Sequence, residues 1–279
     1  MNFIQDEVTQ QVAQVAKDFA HKHIKPHVME WDETQHFPID VMKEMGKLGL
    51  MGIFVPEEYG GSGFSYNEYV AAIVETAKVC GSIGLSLAAH NSLCTGHILY
   101  CANEEQKKKY LPKLASGEWL GCFGLTEPNH GSDPSSMLTN IKDAGDHVIL
   151  NGAKMWISNA PFAQVAVVWA KDEEGVVRGV IVERGMEGFS TPTTHGKWSL
   201  RASATGELVF DNVKVPKENI LPNVKGLKGP LGCLSKARYG IAWGVLGAAM
   251  DCYDLMLAAI VGYAGLKPTL NAIELGKPI

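Results

Sequence analysis

Residues 122–134 combine side chains and turn-forming residues that suit the binding of a polar ligand. The hydroxyls of Thr126 and Ser132 stand among the turn formers Gly124, Pro128, Gly131 and Pro134. A loop of this kind can direct backbone N–H groups and hydroxyls at a polar ring. A connecting turn without a ligand has the same composition, so the residues alone leave both interpretations open. The patterns G-x-x-x-x-G-K-S/T and G-x-G-x-x-G are missing here, which argues against a P-loop or a dinucleotide-binding fingerprint.

A second candidate segment covers residues 154–159, with the sequence Lys-Met-Trp-Ile-Ser-Asn. Trp156 and Ser158 lie two residues apart on a predicted strand, so their side chains should point to the same side. An indole beside a hydroxyl suits one wall of a flat heterocycle that also accepts a hydrogen bond at its edge. A core tryptophan next to an unrelated serine is the more common arrangement, and spacing alone does not separate the two.

Histidines do not form a convincing metal site. His23 and His27 have the i, i+4 spacing of metal ligands, but Pro26 lies between them and no carboxylates accompany them. We therefore expect a solvated helix face there and no metal. His90 and His97 fall in an apolar stretch, where a hydrogen-bonded core histidine is the usual arrangement.

The composition limits the classes of protein to which this chain can belong. The chain has 279 residues, 46% hydrophobic residues and a net charge of −5, which predicts a globular protein and argues against nucleic-acid binding. Its six cysteines show no C-x-x-C spacing, so we expect no zinc site and a reduced, cytoplasmic setting. The N-terminus resembles neither a signal peptide nor a transit peptide. The uncharged stretches 239–250 and 255–266 are too short to span a bilayer.

The elements that must position these residues fall into three parts, which predict an α+β multidomain architecture. Residues 1–118 have helical patterning and predict an N-terminal helical bundle. The predicted helices are an amphipathic helix within 3–28, one that opens at Pro38, one capped by Ser65 and Glu68, an apolar one over 82–102, and one capped by Asn103 and Gln106.

Residues 119–229 predict a middle domain that is a β barrel or sandwich. Strands are predicted over 164–170, 176–183 and 207–215. Asn151-Gly152 between apolar runs predicts a hairpin with a type I′ turn. From residue 230 to 279 the pattern is helical again, as the incomplete beginning of a C-terminal helical domain. Gly240, Gly244 and Gly247 predict a close approach of another helix or a ligand.

Several of these segments, in the same order, resemble the acyl-CoA dehydrogenases, a family of FAD-dependent flavoenzymes. The matching segments are 104–112 (EEQKKKYLP), 125–133 (LTEPNHGSD), 154–159 (KMWISN), 200–203 (LRAS) and 210–221 (FDNVKVPKENIL). The resemblance is collinear from about residue 5 to 257. Residues 129–137 and 229–247 look most similar to the glutaryl-CoA dehydrogenase branch. The family's order of helical, β and helical domains agrees with the architecture predicted from the patterns.

The resemblance implies a role for residues of both candidate segments. The FAD ring would be lined by Phe123, Gly124, Leu125, Thr126, Ser132, Trp156, Ile157 and Ser158. Thr126 would hydrogen-bond its pyrimidine side, and the Ser158 hydroxyl would lie near flavin N5. The acyl-CoA would be bound by Gly84, Leu85, Ser132, Leu231, Leu234 and Arg238. The implied reaction is α,β-dehydrogenation of a short-chain acyl-CoA to the 2-enoyl-CoA, in a homotetramer that passes electrons to electron-transfer flavoprotein.

Departures from the family pattern concern the general base and the substrate. The family's catalytic glutamate, on a late loop of the third domain, would lie beyond Ile279, and the isovaleryl-type position for it holds Ala237. The catalytic base is therefore unassigned. The glutaryl-binding arginine is replaced by Gly84, which predicts an uncharged acyl chain because a buried carboxylate needs a partner. Residues 258–275 fit the family poorly. The alternatives are a catalytically silent flavin- or acyl-CoA-binding fragment and a structural protein without cofactor.

Overall fold

The structure is a computed structural model that describes residues 6–259, and the side chains up to residue 253. Its α-helices are α1 (Glu7–His23), α2 (Val28–Thr34), α3 (Ile39–Lys47), α4 (Tyr66–Val79), α5 (Gly81–Ala88), α6 (Gly96–Cys101), α7 (Glu104–Ala115) and α8 (Lys228–Ala259). A π-helical segment, Ala89–Thr95, joins α5 to α6. Its strands are β1 (Gly121–Gly124), β2 (Asn140–Asp143), β3 (His147–Ser158), β4 (Val165–Lys171), β5 (Val177–Glu183), β6 (Phe189–Ser190) and β7 (Thr205–Pro216).

Helix ends follow their local capping chemistry. Ser65 and Glu68 form the predicted capping box at α4, where a Glu68 carboxylate oxygen accepts the Ser65 backbone N–H at 2.8 Å. Asn103 and Gln106 form the second predicted box, at α7. The first helix is shorter than predicted, because α1 ends at His23 and Pro26 lies in the 3₁₀ turn that follows. Proline has no N–H for an intrahelical hydrogen bond, so a helix through residue 28 was a wrong prediction.

The predicted apolar helix is confirmed as one continuous helical rod from α5 through the π segment to α6. His90 on the π segment is fully buried and hydrogen-bonded. Its Nδ1 accepts the Gly121 N–H at 3.1 Å, while its Nε2 lies 3.1 Å from the carbonyl oxygens of Met51 and Leu114. Burial lowers the pKa of His90 to about 4, so the ring is neutral. The core histidine predicted here is confirmed, and it ties the rod to the start of β1.

The middle of the chain forms one mixed sheet that curls into half a barrel. The strand order is β1-β4-β2-β3-β7-β6, with β5 paired to β4. β1 and β2 run parallel to β4, and the remaining pairs are antiparallel. The buried face of this sheet carries aliphatic residues of β4 and β5, such as Val168 and Val180, in the core. The fold class predicted from the sequence is confirmed, and the half-barrel is the form that the predicted barrel or sandwich takes.

One predicted turn is wrong. Asn151 and Gly152 do not form a hairpin, since β3 continues straight through them and both of its halves pair with β7. The ladder shifts register between Leu150 and Gly152, and Gly152 has a φ of +133°. The glycine therefore makes a β-bulge, a local kink in one strand, instead of reversing the chain. The long partner strand β7 holds both halves in line, which the local sequence does not reveal.

Helix α8 packs against α4 along the predicted glycine stripe. Gly240, Gly244 and Gly247 are buried on the face of α8 that meets α4. A Cβ on Gly240 would lie 2.5 Å from the Tyr69 hydroxyl, and one on Gly247 would lie 2.5 Å from the Val74 carbonyl oxygen. The prediction of a close helix approach is confirmed.

The alanine variant Gly247→Ala is expected to lower the free energy of unfolding by about 1–3 kcal/mol, because the added methyl meets backbone atoms of α4 that cannot move aside. Gly232→Ala on the same helix is the matched control, since a Cβ there has no neighbour within 4 Å. That control should gain up to about 1 kcal/mol from helix propensity alone. Denaturant unfolding of both variants measures the difference, and equal stabilisation of the two would contradict the packing.

Candidate functional site

The candidate site lies where the loop after β1 meets the C-terminal end of β3. The backbone N–H of Met155 donates to the carbonyl oxygen of Thr126 at 2.9 Å, which joins the two segments directly. Asn159, just after β3, donates its side-chain N–H to the carbonyl oxygen of Ser86 at 3.0 Å. These contacts hold the end of β3 against both β1 and α5.

A hollow of about 180 Å³ opens at this junction. Its walls carry many of the residues that the sequence singled out, together with two from the π segment: Ala89, Leu93, Phe123, Leu125, Thr126, Trp156, Ile157, Ser158 and Leu234. Ala89 and Leu93 were not predicted as site residues. The π segment that places them is not visible as a distinct pattern within an all-apolar helix.

Trp156 occupies an unusual backbone conformation beside the hollow. Its φ is +62°, and the β3–β7 ladder shifts register between Lys154 and Ile157. A bulky side chain in the left-handed region is rare and costs energy, and such strain is found preferentially at functional sites. The bulge lets three consecutive residues, Trp156 to Ser158, share one hollow. Simple strand alternation would turn Ile157 away from the other two.

The hollow offers an exposed aromatic face and two free hydroxyls. The Trp156 side chain is 57% exposed although it lies in a strand. Within the chain from residue 6 to 259, no protein group hydrogen-bonds the hydroxyl of Thr126 or of Ser158. An indole face with hydroxyl donors at its side fits a flat heterocycle with acceptor atoms on its edge. The residues present therefore fit an isoalloxazine ring.

Four other residues predicted to bind the cofactor or the substrate are not among those that line the hollow. Gly124 ends β1, and a Cβ there would lie 2.8 Å from Leu208. Ser132 is exposed on the loop. On α8, Leu231 is 40% exposed and Arg238 is exposed, close in sequence to Leu234. Their roles stay predictions.

On α5, Gly84 faces another helix and not the hollow. A Cβ at this position would lie 2.8 Å from the Cβ of Ala77 on α4, so the glycine serves helix packing. Leu85 beside it is half-buried. Ala237, the position of a possible general base, is 9% exposed on α8. It lies three residues after Leu234, which places the two on the same helix face.

A buried ion pair, missed at the level of sequence, lies directly beneath the junction. The ammonium of Lys154 lies 2.9 Å from a carboxylate oxygen of Glu127, with side chains 0% and 4% exposed. Burial lowers the pKa of Lys154 to about 8, whereas hydrogen bonds from Leu138, Thr139 and Lys154 outweigh burial and lower the pKa of Glu127 to about 2. At neutral pH both groups are charged. The only signal in the sequence was a lysine in an otherwise uncharged strand segment.

A larger hollow of about 460 Å³ lies between α2 and residues 193–205. Its cations already have protein partners. Lys197 donates to the carbonyl oxygens of Leu200 and Ser203, each at 2.7 Å, and Arg201 donates to the carbonyl oxygen of Asp32 at 2.8 Å. These contacts brace the loop against α2. We therefore assign the smaller hollow, with its free hydroxyls, as the candidate site.

Two further features bear on the class of protein. Over residues 6–259, no group of three or more His, Cys, Asp or Glu side chains is arranged to hold a metal ion. Among the helices of the same range, none has the length and apolar character that crossing a membrane requires. By the resemblance, the family's FAD-binding arginine would fall on Tyr263 or Ala272, and neither position holds an arginine. Both positions, and the apolar stretch 255–266, lie outside the described side chains.

Comparison with protein families gives three matches. The acyl-CoA dehydrogenase N-terminal domain matches residues 6–118, and the acyl-CoA dehydrogenase middle domain matches residues 122–213. The pattern of 1-deoxy-D-xylulose 5-phosphate reductoisomerase matches residues 207–279. This third match includes residues 258–275, which fit the acyl-CoA dehydrogenase pattern poorly.

Individual relatives agree with the first two matches. The probable acyl-CoA dehydrogenase YngJ of Bacillus subtilis is 42% identical over 264 residues, 92% of this chain and 70% of that protein. The mitochondrial isovaleryl-CoA dehydrogenase of Solanum tuberosum is 42% identical over 90% of this chain and 63% of that protein. Glutaryl-CoA dehydrogenase from Mycobacterium smegmatis has a TM-score of 0.90 at 40% identity, covering 94% of this chain and 68% of that chain.

A glutaryl-CoA dehydrogenase from Mycobacterium smegmatis in complex with FADH2 has a TM-score of 0.86 at 40% identity, covering 91% of this chain and 64% of that chain. This chain spans 61% to 70% of the length of five curated relatives that it matches. Identity above 40% to homologous enzymes, the shared fold and the two domain matches agree with one another. The chain belongs to the acyl-CoA dehydrogenase family.

Proposed function

We propose that this protein catalyses FAD-dependent α,β-dehydrogenation of a short-chain acyl-CoA to the 2-enoyl-CoA. The observation that carries the proposal is the hollow at the β1–β3 junction, where an exposed indole and two unpartnered hydroxyls surround a space lined by apolar side chains. Family membership makes the same cofactor the natural occupant, because a solved relative holds FADH2.

The residues of this chain have distinct tasks in the proposed reaction. Trp156 packs on the ring, while the hydroxyls of Thr126 and Ser158 hydrogen-bond its edge. The bound FAD would supply the acceptor for a hydride from the substrate β-carbon. Ala89, Leu93 and Leu234 form an apolar wall that excludes water from the reacting atoms. Removal of the substrate α-proton requires a carboxylate that acts as the base, and no residue in the walls of this hollow provides one.

We propose an uncharged, short acyl chain as the preferred substrate. The acyl chain would lie against the flavin ring beside the apolar wall of Ala89, Leu93 and Leu234, where a distal carboxylate would be buried without a partner. Gly84 stands at the position that binds the glutaryl carboxylate in the glutaryl branch, and it packs against α4. Its lack of a side chain supports the same preference.

A second candidate function is a catalytically silent protein that binds flavin or acyl-CoA. The specific observation in its favour is Ala237, which stands where the isovaleryl-type branch has its catalytic glutamate and has no group that takes up a proton. A dye-linked assay with butyryl-CoA separates them, since the silent protein would not reduce the dye.

The proposal extends to the setting of the reaction. We place the protein in the cytoplasm as a homo-oligomer, with electron-transfer flavoprotein as the electron acceptor. All six cysteines are free thiols, five of them buried, which supports a reducing compartment. Exposed apolar side chains on α8, among them Tyr239, Trp243 and Leu246, support association with a further protein surface.

Titration of the protein with FAD tests the cofactor assignment directly. We expect the visible spectrum of bound flavin and quenched flavin fluorescence. Thr126→Val should weaken FAD binding roughly 2- to 10-fold, since one hydrogen bond contributes about 0.5–1.5 kcal/mol. Ser135→Ala, which removes a hydroxyl on the exposed part of the same loop, is the control and should bind FAD as the wild type does. Absence of bound flavin in the wild-type protein would contradict the proposed function.

A further inference from the structure

Three segments of the candidate site meet at the buried pair Glu127–Lys154. Lys154 extends from β3, one residue before Met155, whose N–H binds the Thr126 carbonyl oxygen. Its ammonium donates to a Glu127 carboxylate oxygen at 2.9 Å and to the Leu125 carbonyl oxygen at 3.2 Å. Thr126, with its free hydroxyl, therefore stands between two residues that the same ammonium holds.

The carboxylate of Glu127 also closes the far end of the loop. One oxygen accepts the Leu138 N–H at 2.7 Å, and the other accepts the Thr139 N–H at 2.9 Å. Residues 127 and 139 are thereby fixed to each other, although the loop between them is largely exposed. The pair thus joins the start of the loop, its end and the strand that carries Trp156.

Stability alone does not account for an ion pair at this position, because burying two charges carries a large desolvation penalty. Both side chains are almost fully buried, and apolar residues of similar volume commonly stabilise such a site at least as well. Apolar residues would leave the Leu138 and Thr139 N–H groups without their present acceptor. The hydrogen-bonded pair, in contrast, fills the space and also fixes the backbone on each side of Thr126.

We infer that Glu127 and Lys154 are positioning residues, which hold Thr126 opposite Trp156 and Ser158. The pair thereby determines how tightly the site binds the flavin ring. The inference rests on the proposed function and assigns to this pair a role that the motif residues do not have. Neither side chain lines the hollow, so the pair acts through the backbone of residues 125–127.

Hydrogen exchange of the protein without cofactor, combined with FAD titration, tests the inference on Glu127→Gln. The variant keeps the shape and one acceptor oxygen but loses the charge. We expect the amides of Leu138 and Thr139 to exchange roughly 10- to 100-fold faster, because each donates to the Glu127 carboxylate and such charge-assisted hydrogen bonds contribute about 1.5–3 kcal/mol. The amide of Met155, which donates to the Thr126 carbonyl oxygen that the pair positions, should also exchange faster. FAD binding should weaken by at least about tenfold.

Two references separate positioning from a general loss of stability. The buried amides of Val168 and Val180 report global opening in the same sample, so faster exchange counts only in excess of theirs. Glu183→Gln is the matched control, because that carboxylate also binds a lysine and a hydroxyl, from Lys109 and Tyr110, at a distant place. It should leave FAD binding unchanged.

Each outcome decides a specific point. Unchanged exchange at Leu138, Thr139 and Met155 in Glu127→Gln would overturn the inference without reference to flavin. Faster exchange with unchanged FAD affinity would show that the pair is merely structural, and this result would also overturn the inference. A wild-type protein that does not bind FAD would instead contradict the proposed function, and the exchange data would still decide whether the pair holds the loop.

Discussion

Glutamate in place of Ala237 is expected to raise the rate of acyl-CoA oxidation by the FAD-loaded protein by about 10²–10⁴-fold, the usual contribution of a positioned general base. Ala237 is 9% exposed and lies on the same face of α8 as Leu234, which lines the hollow. By the resemblance, this is the position from which the isovaleryl-type glutamate removes the substrate α-proton. The measurement is single-turnover flavin reduction with butyryl-CoA.

The control for this variant is Ala237→Gln, which has nearly the same shape as the glutamate variant but cannot accept the α-proton. The rate of Ala237→Glu should rise with pH as the carboxylate ionises, whereas the glutamine variant should stay at the wild-type rate. Equal rates for the two variants would show that position 237 does not reach the substrate. A wild-type protein that already turns over rapidly would show that another carboxylate is the base.

The parts of the fold that the sequence predicted are those fixed by local or helical spacing. The capping boxes at Ser65 and Asn103 depend on residues three positions apart, and the structure has both. The stripe of Gly240, Gly244 and Gly247 marks the close approach of α4, because an added Cβ would lie within 2.5–3.1 Å of atoms of that helix. Such features are visible in one chain segment without its surroundings.

The features that the sequence did not predict depend on distant partners. Asn151-Gly152 has the composition of a hairpin turn, yet pairing with β7 on both sides turns it into a bulge. Lys154 and Glu127 are 27 residues apart, and nothing in either neighbourhood indicates that they pair. Leu93 reaches the hollow only because a π segment interrupts the helix. In each case tertiary contacts decide between local alternatives of similar energy.

The candidate site also combines residues that the sequence predicted with residues that it did not. The motif residues Thr126, Trp156 and Ser158 are brought to one hollow, as the resemblance implied and as spacing alone had left open. The supporting residues behind them were not anticipated, since their side chains face the protein and not the ligand. The motifs thus identify residues that line the hollow, whereas they do not reveal the buried pair behind those residues.

Replacement of Lys154 by an uncharged residue should be among the most destabilising single substitutions in this protein. Lys154→Met is expected to lower the free energy of unfolding by about 3–5 kcal/mol at neutral pH, because it leaves the Glu127 carboxylate buried without its cation. The double variant Lys154→Met, Glu127→Gln should recover most of that loss, since no unpaired charge remains and the glutamine still offers an acceptor to the loop N–H groups. Denaturant unfolding of the three proteins measures both differences.

The pH dependence of stability gives an independent check on the same pair. The pKa of Glu127 is lowered to about 2 in the folded protein, below the value near 4.3 of an unperturbed glutamate. Its contribution to stability is therefore complete above that unperturbed value and is lost as the pH falls towards 2. The double variant lacks this carboxylate, so its stability should fall less steeply over that interval. Parallel pH profiles for the wild type and the double variant would show that the Glu127 carboxylate gains nothing from its partners in the folded protein.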